Sequence, residues 1–129
     1  MSSPEDAQKQ QAQDQKAQLL QVQYNKYQEQ VSGMQSQLGD LTSQLQEHII
    51  VEKSLTSIPP NKREGRKCFK MIGGVLVNKL VDEVIKILND DMKVLEKTKT
   101  TLEQTLVDTR KEMEKWMKNN NVKVIKGQQ

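Results

Sequence analysis

Apolar side chains recur along this chain with an alternating 4-3 spacing in two long stretches, separated by a short segment where that spacing breaks down. The first series runs Leu20, Tyr24, Tyr27, Val31, Met34, Leu38, Leu41, Leu45, His48, Glu52, Leu55. The second runs Val81, Ile85, Leu88, Met92, Leu95, Lys99, Leu102, Leu106, Thr109, Met113, Trp116, with Lys99 and Thr109 as polar interruptions. Such spacing keeps one seam on one side of a helix. Two arms of this kind joined by a short link predict a mainly α fold, an antiparallel two-helix coiled coil with a single β-hairpin between the helices.

The boundaries follow from local chemistry. Residues 1–12 are rich in Gln, Ser and charge and carry no apolar stripe. Ser3 before Pro4 has the form of a helix start, but the segment is expected to fray into a flexible N-terminal tail. The first helix is placed at 13–57, because Ile58 before Pro59-Pro60 is pushed out of the α region. Residues 58–78 form a linker and a β-hairpin, 79–121 the second helix, and 122–129 a C-terminal tail in which Val122, Val124 and Ile125 alternate. Asn78 suits an N-cap, with Asp82 and Glu83 in the first turn near the positive end of the dipole.

Inside the linker the period changes. Cys68–Ile72 and Val75–Asn78 are short apolar runs flanking Gly73-Gly74, a pair that tolerates the positive φ of a tight turn. Phe69 and Met71 point one way and Cys68 and Ile72 the other, while Val75 and Val77 oppose Leu76. A lone two-stranded hairpin is marginal in water, and one with apolar groups on both faces and two open edges needs other strands. Cys68, Phe69, Met71, Ile72, Gly73, Gly74, Val75, Leu76 and Val77 are therefore the candidate assembly surface, meeting the hairpins of other subunits.

The ends of the arms also carry more apolar surface than a two-helix seam covers. Leu55 opposite Val84 places Tyr24 near Trp116, so Leu19, Leu20, Tyr24, Tyr27, Met113, Trp116 and Met117, with Val22 and the tail valines, gather at one tip. Exposed apolar patches on soluble proteins mark binding sites, and Met and aromatic side chains adapt to varied partners. The competing reading is simple stapling of helix ends.

Composition narrows the function classes. At 34% apolar and 3% aromatic residues the chain is thin for a compact core, but a coiled coil needs only a narrow stripe. One cysteine and one histidine leave no intrachain disulfide and no Cys/His metal cluster. His48 reads as a seam or edge residue, and Cys68 as a strand residue rather than a reactive thiol. Paired catalytic carboxylates, a nucleophile elbow and a phosphate loop are all missing, so neither an enzyme nor a cofactor is expected. Lys62, Arg63, Arg66, Lys67 and Lys70 form a basic cluster, but with no aromatic platform beside it a solvated loop or an acidic partner is favoured over nucleic acid. No signal peptide or membrane span is recognised, so the expected compartment is the cytoplasm, with the nucleus as a second location. Residues 1–57 carry four bases against seven acids, and 58–129 carry sixteen against ten, so the arms attract each other. At roughly 0.3–0.5 kcal/mol per exposed pair this aids orientation rather than stability.

The string Arg66-Lys67-Cys68-Phe69-Lys70-Met71-Ile72-Gly73-Gly74-Val75-Leu76-Val77, followed by a heptad helix ending in Glu114-Lys115-Trp116, resembles the prefoldin family. The single hairpin resembles its β class, and the similarity runs from Gln21 to Lys126. The resemblance implies a hetero-hexamer of two α-class and four β-class subunits whose hairpins build a double β-barrel from which coiled coils project. It also implies ATP-independent capture of nascent actin and tubulin at the tips and transfer to the cytosolic chaperonin. The alternative from the residues alone is a coiled-coil scaffold or tether joining folded partners.

Overall fold

The computed structural model describes residues 3–124. In chain order the elements are α1 (Pro4–Thr56), a single helical turn α2 (Pro60–Arg63), β1 (Lys67–Ile72), β2 (Val75–Leu80) and α3 (Val81–Asn119). The expected mainly α fold with one β-hairpin between two long helices is present. All twenty-two residues of the two heptad series are buried or half-buried, including Lys99 and Thr109, whereas most of their helical neighbours are exposed. The seam drawn from the spacing is thus the seam that packs.

The chain divides into two compact units. One joins α1 up to Ser36 with α3 from Gln104 onward, and the other is Gln37–Glu103. In the first, Val31 and Leu106 are the buried apolar residues, and the Tyr27 and Trp116 rings meet with centroids 5.6 Å apart. In the second, Val81, Val84 and Leu88 are buried, and His48 Nε2 lies 3.8 Å from an Asp91 carboxylate oxygen. The His48 Nδ1 is 2.7 Å from the Gln44 carbonyl oxygen, within hydrogen-bond distance one turn back along α1. His48 is an edge residue of the seam, as its spacing suggested.

Several boundaries differ from the expectation, each for a local reason. The first helix starts at Pro4, well before residue 13, because Ser3 and Asp6 form a reciprocal cap. The Asp6 N–H donates to Ser3 Oγ at 3.2 Å, and the Ser3 N–H donates to an Asp6 carboxylate oxygen at 3.4 Å. Pro4 occupies the first helical position, where its missing N–H costs nothing. Side-chain bonds one turn apart, such as Gln10 to Asp14 at 3.1 Å, then support a helix that has no apolar stripe. The segment read as a tail is helical from its first turn.

Asn78 is not an N-cap. It pairs with Phe69 in the ladder, and β2 continues to Leu80 before α3 begins at Val81. The hydrogen bond from the Val81 N–H to the Arg66 carbonyl, 2.9 Å, extends the ladder past the last strand pair and turns the strand directly into the helix. Val81 is only 1% exposed at that junction. The connection after Pro59 is also more ordered than a loop. Pro60 stands at the start of α2, the Lys62 and Arg63 N–H groups both donate to the Pro59 carbonyl, and Gly65, at φ +71°, releases the chain toward β1.

Candidate functional site

The hairpin is built from a two-residue turn. Gly73 and Gly74 have φ of +54° and +80°, the left-handed pair that a tight hairpin with right-twisted strands requires. The register pairs Ile72 with Val75, Met71 with Leu76, Lys70 with Val77 and Cys68 with Lys79. Because side chains alternate along a strand, Phe69, Met71, Leu76 and Leu80 share one face, and Cys68, Ile72, Val75 and Val77 share the other. Every member of the first group is exposed, Phe69 at 68%. On the second face Ile72 and Val75 are exposed, and Cys68 and Val77 are half-buried. The nine residues proposed for assembly thus form one continuous hairpin whose apolar side chains are largely uncovered.

Arg63, read from the sequence as part of a solvated basic cluster, has a different role. Its Nη1 donates to the Thr56 carbonyl at the end of α1, 3.3 Å, and its buried Nε lies 3.4 Å from Asp82 Oδ1 in the first turn of α3. One guanidinium therefore brackets both helices at the base of the hairpin. Lys62, Arg66 and Lys67 remain exposed.

At the opposite ends of the helical sequence, Leu20, Tyr24, Tyr27, Met113, Trp116 and Met117 are half-buried, and Leu19 is 71% exposed. The aromatic that meets Trp116 is Tyr27, not Tyr24. The Tyr24 hydroxyl instead accepts from Gln28, whose amide also reaches Met113 sulfur at 3.9 Å. A seam side chain sits between successive positions of the facing helix, so a register drawn from spacing is good only to about one turn. Val22, outside the seam, is 65% exposed.

The end of α3 holds a feature that the spacing did not reveal. The Val122 N–H donates to the Met117 carbonyl at 2.8 Å and the Asn121 N–H to the Lys118 carbonyl at 3.4 Å, while Asn121 takes φ +53°. This pair of bonds around a left-handed residue is a Schellman cap, with Asn in the place usually held by Gly. The Asn119-Asn120-Asn121 run was its only sequence signal. The cap turns Val122–Val124 back, so that these residues and Ala17, Leu20, Gln21 and Tyr24 of α1 line an open cleft of about 400 Å³. On the other side, Met117 and Val122 sit in a shallow groove of about 590 Å³ edged by Lys111, Lys115 and Lys118. The alternating tail expected at Val122, Val124 and Ile125 has no regular secondary structure at its first residues, 122–124, and Ile125 lies outside the described residues.

Among the described residues no three His, Cys, Asp or Glu side chains gather as metal ligands, and no helix is long and apolar enough to cross a membrane. What these surfaces offer is apolar contact.

A family model described as "Prefoldin subunit" matches residues 18–127. Prefoldin subunit 2 of Saccharomyces cerevisiae is 35% identical over 88% of this chain and 98% of its own length. The probable prefoldin subunit 2 of Schizosaccharomyces pombe is 31% identical over 84% of this chain and 92% of its own length. The human prefoldin subunit 2 is 30% identical over 79% of this chain, and the match spans 64% of that longer protein. With its two heptad helices, its single glycine-turned hairpin and this match over most of its length, the chain belongs to the prefoldin family.

Proposed function

We propose that this chain is a prefoldin co-chaperone subunit that joins other α-class and β-class subunits in a hetero-hexamer through its hairpin, and holds unfolded clients at the ends of α1 and α3. The clients are nascent chains such as actin and tubulin, held in the cytoplasm without ATP and passed to the cytosolic chaperonin. The observation that carries the client reading is the apolar surface left uncovered beside the Schellman-capped end of α3. Leu19 and Val22 project from α1 with most of their surface in water, although the seam beside them is already filled by Leu20 and Tyr24. Side chains in that position add nothing to the packing of the two helices. Their contribution comes when an apolar segment of another chain covers them.

Exposure also decides which variant tests the idea. Trp116 packs on Tyr27, so removing it would disturb the helix ends as well as any client contact. Leu19→Ser with Val22→Ser removes apolar area with little loss of packing. At about 25 cal/mol per Å² the two side chains contribute a few kcal/mol at most to one contact, and several tips acting on one client soften the loss. The variant should assemble normally and suppress aggregation of denatured actin less well than the parent, without nucleotide in either case. Equal suppression by an assembled variant would remove the client role from this surface and favour the scaffold reading.

A further inference from the structure

The hairpin strands carry Lys67, Lys70 and Lys79 and no acidic residue. In the observed register Lys70 lies opposite Val77 and Lys79 opposite Cys68, so both lysines share a face with Ile72 and Val75. Lys67 stands on the other face with Phe69 and Met71. Among the described residues the sheet has only these two strands, so there β1 presents one unpaired edge bearing Lys67 and Lys70, and β2 presents another bearing Lys79. The apolar faces discriminate poorly, since Phe69, Met71 and Leu76 gain as much from covering a second copy of themselves as from covering another apolar hairpin. Charge does discriminate. Lysines on an open edge oppose pairing with a strand that carries the same lysines, because like charges set side by side across a ladder are destabilising.

We infer that this hairpin docks against strands of a different chain whose neighbouring side chains are acidic, and that its three strand lysines are what refuses a second copy of itself. The inference rests on the hairpin being the assembly surface and adds the chemistry of its partner. Burial of the apolar faces supplies the drive to associate, and the lysines choose the associate. Arg63 takes no part in the choice, because its guanidinium is already directed to Thr56 and Asp82.

The test uses the full chain and a charge-reversed copy, Lys67→Glu with Lys70→Glu and Lys79→Glu, with helix content checked by circular dichroism. Sedimentation at low salt should show the mixture of the two pairing about tenfold more tightly than either alone. That preference should vanish near 1 M salt, where the Debye length falls to about 3 Å. A neutral version with Gln at the same three positions should self-associate where the parent does not, and adding Met71→Asp and Leu76→Asp should abolish pairing in every case. A mixture no tighter than its components, or a Gln version as reluctant as the parent, overturns the charge rule. If Met71→Asp with Leu76→Asp still enters the complex with the other prefoldin subunits, the assembly reading fails as well. If it is excluded while reversal shows no preference, only the charge rule falls.

Discussion

Arg63 shows how one side chain can join elements that the apolar pattern leaves separate. Its ion pair with the well-exposed Asp82 contributes less than about 1 kcal/mol. Its Nη1 also donates to the Thr56 carbonyl, and losing both partners at once should cost about 1–2 kcal/mol. Arg63→Ala is expected to lower the melting temperature of the isolated chain. Arg63→Lys should restore little, since an ammonium lacks the planar fork that sets Nη1 on the Thr56 carbonyl while Nε lies beside Asp82. Asn121 makes a second residue-scale case. A β-branched side chain is strained at φ +53°, so Asn121→Val should open the Schellman cap at a cost of about 1 kcal/mol, whereas Asn121→Gly should be neutral or slightly stabilising. Amide exchange at Val122, whose N–H is held by the Met117 carbonyl, reads the cap directly.

At the scale of elements, the seam was legible because two arms repeat one spacing many times, and no single polar residue breaks a pattern of that length. The glycine turn was legible for another reason: Gly73-Gly74 between two short apolar runs leaves few alternatives. The misses lie where local polar bonding decides. A Ser3–Asp6 cap and bonds between side chains one turn apart carry α1 back to Pro4 without an apolar stripe, and the ladder overrides the capping preference of Asn78. The choice of Tyr27 over Tyr24 against Trp116 lay below the resolution of heptad spacing. Two substitutions probe the helices themselves. Lys99 occupies a half-buried seam position, so Lys99→Leu should raise the melting temperature by filling a polar gap. Gly33 and Gly39 lie within α1, and a Cβ at either position meets nothing within 4 Å. Gly33→Ala and Gly39→Ala should therefore each stabilise the helix by about 0.5–1 kcal/mol.

For the whole molecule, the proposed function assigns assembly and client capture to separate residues and links them through avidity. Val75 is 63% exposed and Val77 half-buried in the single chain, so Val75→Asp with Val77→Asp should leave the helices of the isolated chain in place and cost it less than it costs the assembly. The penalty arises when a partner subunit covers the strands and an unpaired carboxylate would be buried, a cost of several kcal/mol. The variant should accordingly remain a folded free chain while the parent enters the hexamer, as read by native mass measurement. Its Leu19 and Val22 are untouched, yet without neighbouring tips each client contact stands alone and is lost as fast as it forms. Suppression of client aggregation by the free variant should fall well below that of the assembled parent at equal chain concentration. Normal incorporation would show that these strands are not the assembly surface. Undiminished suppression by the unassembled chain would show that one tip suffices, and that the hexamer serves some purpose other than multivalent holding.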